Sequence, residues 1–165
     1  MDPRPTLSRR AFVQAAAATA GALAAAPSLH ALAPRARAGD DPPPIPNEIV
    51  ERVMRERFGD RPIRTGHVEL DMPLSAEDGR VVPVIVASDL PMTPARHVKT
   101  VHLIVDFNPD AHLAAFHLTP AIGRAEITTR IKMKRATWVR AIVETSDGEL
   151  WADYARVSVT LNGCG

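Results

Sequence analysis

The most reactive side chain of the sequence lies one residue before the end of the chain. Cys164 is the only cysteine among 165 residues, and Gly163 and Gly165 stand on either side of it. Glycine has no Cβ, so the backbone around this thiol is narrow and conformationally free. Chain ends without anchoring contacts are usually mobile. We therefore expect residues 162–165 to form a flexible arm, with a reach of roughly 13 Å at about 3.3 Å per residue.

The chemistry available to this thiol is covalent S–S bond formation with a partner molecule. No base lies beside Cys164 in the sequence, and a flexible arm cannot hold the fixed nucleophile–base geometry that a cysteine hydrolase needs. We therefore expect the chain not to be an enzyme by itself, and activation to come from a partner's pocket. Two alternatives stay open, a binding or assembly module with an incidental thiol and a thiol-dependent enzyme or redox protein.

Other residue types that could do chemistry form no recognisable pattern. The body contains five histidines whose spacing fits no usual metal-ligand motif: His67, His97, His102, His112 and His117. Motifs of hydrolases, zinc proteases and phosphate-binding loops are absent from the sequence. The small basic cluster of Lys132, Lys134 and Arg135 is interpreted as a solvent-exposed face near a turn. We predict no metal, no cofactor and no nucleic-acid partner, since aromatic residues are few and no basic stripe occurs.

The N-terminus has the features of an export signal. Arg9 and Arg10 form a twin arginine, and the Ala-rich stretch 15–26 that follows is shorter than the roughly 20 apolar residues of a membrane span. These features predict a twin-arginine (Tat) signal peptide over residues 1–38, with cleavage before Gly39. The mature chain is then expected in the periplasm, free of the membrane. The alternatives are an uncleaved anchor and a fortuitous arginine pair.

Removal of this segment changes the charge of the chain. The full sequence has 20 basic and 19 acidic residues. Residues 1–38 contain five of the former and one of the latter, so the mature chain has a formal charge of −3. The remaining residues suffice for one domain with a core. A single cysteine cannot form an internal disulfide, so an exported chain of this kind is expected to use its thiol between molecules.

The body begins with a Pro-rich leader, 39–46, followed by a short helix. Asn47 is a typical N-cap, apolar residues from Val50 to Phe58 recur at helical spacing, and Gly59 is a typical stop. The pattern predicts an amphipathic helix of about three turns. Its apolar side is expected to pack on the domain or on a partner.

From residue 67 onward the pattern is that of strands. Alternating or β-branched runs occur at 67–72, 80–87, 99–107, 112–118, 124–133, 136–145, 149–154 and 155–161. Residues 75–79 are typical of a hairpin turn, and Pro83 suggests that its strand is an edge or bulged strand. We therefore predict one all-β domain, 47–161, that is an immunoglobulin-like sandwich of about seven strands. Its last strand would give the arm a rigid root.

Several short segments share the residue pattern of one known family. They are Asp-Gly-Arg-Val-Val-Pro-Val at 78–84, Asn-Pro at 108–109, Phe116, Thr-Arg-Ile-Lys-Met at 129–133, Asp-Gly at 147–148, Val-Ser-Val-Thr at 157–160 and Gly-Cys-Gly at 163–165. With these segments, residues 47–165 and the twin-arginine signal resemble SoxY, the sulfur-carrier subunit of bacterial sulfur-oxidation systems.

The resemblance implies a fold, a function and partners. Members are immunoglobulin-like sandwiches that pair with a second subunit, SoxZ. Their terminal cysteine, Cys164 here, carries a sulfur compound covalently, while separate haem and di-manganese enzymes oxidise and hydrolyse it. The family arm usually reads Gly-Gly-Cys-Gly-Gly, whereas Asn162 replaces the first glycine here and one terminal glycine is missing. The residues that would allow the arm to move are therefore Asn162, Gly163 and Gly165, and a paralogue serving another sulfur pathway is an alternative.

Overall fold

The computed structural model describes Arg35–Ala36 and residues 44–161, which fall within one compact unit, Pro34–Gly165. Arg9 and Arg10 of the predicted signal lie outside the described residues, as do residues 162–165 of the predicted arm.

Ten strands and one α-helix make up most of this described part. The strands are β1 (Arg35–Ala36), β2 (Ile63–Thr65), β3 (Val68–Pro73), β4 (Ser75–Asp78), β5 (Val82–Ser88), β6 (Val98–Val105), β7 (His112–His117), β8 (Ala125–Ile131), β9 (Thr137–Thr145) and β10 (Leu150–Leu161). The helix α1 spans Glu48–Phe58, and Pro120–Ile122 form a single 3₁₀ turn. The seven longest strands are those that the sequence predicts, with 149–154 and 155–161 joined into β10.

The strands form two sheets, and the fold is an all-β, immunoglobulin-like sandwich, as predicted. The smaller sheet has the order β1-β3-β5-β8, and the larger has the order β2-β10-β9-β6-β7, with β4 added alongside β10. The main core lies between the sheets and takes side chains from both, including Leu70, Val84, Val86, Leu103, Val139 and Val143. Strands β6 and β9 of the larger sheet are buried on both faces, because a second cluster covers the outer face.

That second cluster is formed by α1. Asn47 caps the helix, its Oδ1 accepting from the backbone N of Val50 at 3.0 Å, and Gly59 ends it with φ 62°. Val50 and Phe58 are buried against side chains of β6, β9 and β10. The helix and its boundaries are confirmed, and its apolar side packs on the domain. In residues 44–161 no helix is long and apolar enough to cross a membrane.

The prediction that Pro83 marks an edge or bulged strand is wrong. Strand β5 lies between β3 and β8. Its ladder with β3 ends at Asp71↔Ile85, however, while its ladder with β8 continues to Val82↔Ile131. Pro83 therefore lies where β5 has a neighbour on one side only, so its missing N–H leaves no central ladder incomplete.

The predicted hairpin turn at 75–79 is also incorrect in detail. Strands β3 and β5 are antiparallel neighbours, as a hairpin requires. The connection between them contains β4, which leaves the smaller sheet and pairs in parallel with β10 of the larger one. The turn itself comes later, at Gly79–Arg80. A four-residue strand of this kind is stabilised by its partner strand rather than by its own sequence, so no local pattern announces it.

Candidate functional site

The root of the predicted arm is strand β10, which is held along its whole length. Residues Leu150–Val157 pair with β9, and Ser158–Leu161 then pair with β4. The backbone N of Ser158 also donates to the carbonyl oxygen of Leu74 at 2.9 Å. Val157 is buried in the core between the sheets and Val159 packs against it. The strand is thus anchored up to Leu161, directly before the four residues that include the cysteine.

The turn after β4 lies beside this root, because Leu161 is paired with Asp78. The carboxylate of Asp78 accepts from the backbone N of Arg80 at 2.8 Å and from its guanidinium at 2.8–3.0 Å. This side-chain hydrogen bond holds the pKa of Asp78 below its ordinary value and raises that of Arg80. Arg80 and Val81 are exposed, so the turn presents a cation and an apolar side chain next to the root of the arm.

The loop between β8 and β9 reaches the same place. The backbone N of Met133 donates to the carbonyl oxygen of Gly79 at 2.7 Å. The buried side chain of Asn108 fixes the loop by donating to the carbonyl oxygen of Lys132 at 2.7 Å and accepting from the backbone N of Lys134 at 3.0 Å. As predicted, the basic cluster of this loop is exposed.

An aromatic side chain completes this end of the sandwich. Phe107 follows β6 and has φ 63°, in the left-handed region that bulky residues rarely adopt. The residue is 47% exposed, and the guanidinium carbon of Arg135 lies 3.8 Å from the ring centroid. Sequence reasoning missed Phe107, because nothing in its residue type predicts a positive φ. The following Asn108-Pro109 indicated only that the strand ends there.

The residues that the sequence predicts to form the functional site and the export signal lie outside the described residues. These are Cys164 with its neighbours Asn162, Gly163 and Gly165, and the signal residues Arg9 and Arg10. What the structure adds is the strand that positions the arm and the side chains that surround its origin.

One of the five histidines of the body, His102, is buried. His102 lies on β6 under α1, with its Nδ1 3.1 Å from Nε2 of His112 and its ring edge-on to Phe58 at 5.1 Å between centroids. Its Nε2 is 3.9 Å from a carboxylate oxygen of Glu144. In the part of the chain that the structure describes, no group of three or more His, Cys, Asp or Glu side chains is placed to hold a metal ion.

Burial dominates the electrostatics of this histidine cluster. Loss of solvation, with a smaller effect of the nearby His112, lowers the pKa of His102 to about 4, although Glu144 opposes the shift. Burial and the charge of Arg57 also lower the pKa of His112. Both imidazoles are therefore neutral at neutral pH, which suits their position beneath a helix.

A cavity of about 640 Å³ lies at the opposite end of the smaller sheet from the arm root. His67 is on its wall with φ 56°, and its Nδ1 lies 2.7 Å from a carboxylate oxygen of Asp89. The Oγ of Ser88 donates to the carbonyl oxygen of His67 at 2.7 Å. Its hydroxyl therefore braces the backbone of the strained histidine.

The sequence matches the family described as "Sulfur oxidation protein SoxY" over residues 54–164. No curated protein matches the chain. Among solved structures, the sulfur carrier protein SoxY from Chlorobium limicola f thiosulfatophilum is 24% identical, with a TM-score of 0.57, and the alignment covers 68% of this chain and 96% of that one. A superoxide reductase (neelaredoxin) from Ignicoccus hospitalis is 17% identical, with a TM-score of 0.51, over 57% of this chain and 80% of that one. These structural similarities establish the fold alone.

Proposed function

Because the chain belongs to the SoxY family of sulfur oxidation proteins, we propose that it is a sulfur carrier that holds sulfur-compound intermediates covalently on Cys164. The observation that carries this proposal is the extent of the family match, which runs to residue 164 and so includes the terminal cysteine. The Chlorobium protein that shares the fold is named a sulfur carrier protein.

The structure supports this role through the fixed root of the arm. Strand β10 pairs with β9 up to Val157 and with β4 from Ser158 to Leu161, so the point from which the arm starts is fixed. The glycines at 163 and 165 leave the backbone around the thiol free of Cβ atoms. A fixed root with a narrow tip can deliver a bound group into a deep pocket of another protein.

The loading step requires an oxidant. The thiolate of Cys164 forms an S–S bond with the sulfane sulfur of thiosulfate, and two electrons leave: Cys–S⁻ + S–SO₃²⁻ gives Cys–S–S–SO₃⁻ and two electrons. A haem enzyme of the sulfur-oxidation system is the proposed acceptor. Hydrolysis by a di-manganese enzyme would then release sulfate and leave Cys–S–S⁻, with two protons going to solvent. The chain is a carrier in this scheme, and the partner enzymes supply the catalysis.

The proposal includes a location and a stable partner. The twin arginine, Arg9 and Arg10, supports export to the periplasm by the Tat route. A SoxZ-like subunit is the proposed heterodimer partner, as in the family. The alternatives are an immunoglobulin-like binding or assembly module, and a paralogue that carries sulfur in another pathway.

The decisive variant is Cys164→Ser. We expect it to abolish loading when the exported protein, its SoxZ-like partner, the haem enzyme and thiosulfate are incubated together, because the S–S bond needs the thiolate. Intact-mass spectrometry with and without reductant measures the adduct directly. Folding and partner binding should be unchanged, since the substitution lies beyond β10.

The matched control is Asn162→Gly, which restores the first glycine of the usual family pattern on the same arm and should keep the adduct. A reductant-sensitive adduct in the Cys164→Ser variant would contradict the carrier function. The wild-type chain could also carry a different sulfur adduct on Cys164 and no thiosulfate adduct. That result would favour the paralogue alternative.

A further inference from the structure

We propose that Arg80, Val81, Phe107, Lys134 and Arg135 form a docking surface, here called the collar, for an acidic rim around the pocket of an enzyme that receives the arm. This inference rests on the proposed carrier function. It adds the surface that recognises the enzymes and the chemistry of the surface that fits it.

The collar surrounds the origin of the arm through strand register and loop contacts. Leu161 is paired with Asp78, two residues before Arg80. The carbonyl oxygen of Gly79 accepts from Met133, directly before Lys134. Asn108 joins the turn that contains Phe107 to the same β8–β9 loop. The three turns are therefore tied to one another at the end of the sandwich from which the arm starts.

The length of the arm forces this surface against whatever binds the thiol. Four residues follow Leu161, and full extension gives roughly 13 Å at about 3.3 Å per residue. Cys164 is the third of these residues, so it lies within about 10 Å of the root. An enzyme that takes the thiol into a pocket must therefore bring the rim of that pocket close to the collar.

The charges of the collar indicate the charge expected at the rim of the enzyme's pocket. Lys134 and Arg135 are exposed and have no acidic partner among residues 44–161, while Arg80 shares its charge with Asp78. Glu77 and Asp110 are also exposed at this end and reduce the net positive charge. The predicted mature chain has a formal charge of −3. A locally cationic surface on such a chain attracts an acidic partner to that surface and so orients the encounter.

The apolar part of the collar has a conformational cost. Phe107 is held at φ 63° and is still about half exposed (47%). Strained backbone of this kind persists where the surrounding structure imposes it, and it concentrates at functional sites. The stacked guanidinium of Arg135 and the exposed Val81 give this surface the combination of arginine, aromatic and apolar side chains that is enriched in protein interfaces.

The test compares two double charge reversals in the full exported chain with its partner subunit. Lys134→Glu/Arg135→Glu changes the collar, whereas Arg52→Glu/Arg124→Glu changes two exposed arginines on α1 and at the far end of β8. The readout is kcat/KM for thiosulfate loading by the haem enzyme as the ionic strength is raised. We expect the collar reversal to lower kcat/KM about tenfold or more at low ionic strength, and the difference to vanish near 1 M salt, where the Debye length is about 3 Å.

A variant that changes no charge tests the contribution of Phe107 to the collar. Phe107→Gly relieves the positive φ, so thermal stability should stay the same or rise, while kcat/KM should fall at every ionic strength. The rate at which iodoacetamide alkylates Cys164 should be the same in all of these variants, since that reaction needs no docking.

Three results would overturn the collar. Equal effects of the two charge reversals would remove its electrostatic role, and an unchanged kcat/KM in Phe107→Gly would remove its apolar role. If binding of the SoxZ-like subunit, with no enzyme present, protected Lys134 from chemical acetylation, the surface would belong to the heterodimer interface instead. A wild-type Cys164 that is never loaded would refute the carrier function as well, whereas normal loading with no effect of the variants would refute the collar alone.

Discussion

Two aspartate–arginine pairs in this protein have nearly the same geometry and opposite environments. Arg140 lies 2.9 Å from Asp106 with side-chain exposures of 3% and 4%. Arg80 lies 2.8 Å from Asp78 with exposures of 69% and 36%. The first pair is on the helix-covered face of the larger sheet, and the second is beside the root of the arm. Distance alone therefore says little about what an ion pair does.

The buried pair is embedded in a complete set of partners. Both guanidinium–carboxylate hydrogen bonds are 2.9 Å long, and a third N–H of Arg140 donates to the carbonyl oxygen of Pro44 at 3.0 Å. The ring of Tyr154 lies 5.7 Å from the guanidinium carbon. This arrangement ties the segment before α1 to the sheet. The exposed pair is surrounded by water and leaves its cation available to a partner.

Removal of one member of the buried pair should have the largest effect on stability. Asp106→Ala leaves the guanidinium of Arg140 buried without its counter-ion, so we expect the free energy of unfolding to fall by about 3–5 kcal/mol. Urea denaturation measures this directly. Asp106→Ala/Arg140→Met should recover much of the loss, because it removes the stranded charge as well. A loss below about 1 kcal/mol in the single variant would show that water reaches this pair.

The histidine under α1 should make stability depend on pH. The pKa of His102 is about 4 in the folded protein and 6.5 ordinarily, so between these values the unfolded chain binds a proton that the folded chain does not. Stability should therefore rise from pH 4 to pH 6.5 and be lost as the pH falls through that window, with a full effect on the order of 3 kcal/mol. The lowered pKa of His112 acts in the same direction.

Thermal denaturation across this range, compared with His102→Gln, tests the effect. The variant should show a flatter dependence on pH, while alkylation of Cys164 by iodoacetamide should be unaffected by the substitution at any one pH. An equally steep dependence in the variant would assign the effect to other groups.

Loss of the exposed pair should have the smallest effect. Asp78→Ala removes a solvent-exposed salt bridge, so the midpoint of urea denaturation should hardly change. It also frees the charge of Arg80, so docking of an acidic partner should be unchanged or stronger. A loss as large as that of Asp106→Ala would mean that the turn beside the arm root is structurally essential, and the comparison between the two pairs would fail.

The elements that could be predicted are those with a strong local pattern. Asn47, the apolar spacing up to Phe58 and Gly59 were sufficient for α1, because capping and helical periodicity are local properties. The seven long strands followed from alternation and β-branched residues in the same way. The short strands β1, β2 and β4 have too few residues for any periodicity, and they are strands only because a neighbour pairs with them.

The position of a strand in its sheet was a different kind of problem. Pro83 predicts an edge or bulged strand because proline lacks an N–H, yet β5 is central and its ladder with β3 ends before Pro83. Nothing in the residues around Pro83 indicates where the ladder between β3 and β5 ends. The burial of His102 likewise depends on the helix that lies over it, which is some 50 residues away in the sequence.

The sequence by itself determined the helix, the long strands, the family motifs and a lone cysteine between glycines, because each of these is a property of neighbouring residues. Only the tertiary structure decided that β4 anchors the end of β10, that three separate turns meet around the arm root and that one of two similar ion pairs is buried. These features arise from contacts between residues distant in the chain, where the free energy depends on which surfaces exclude water from each other.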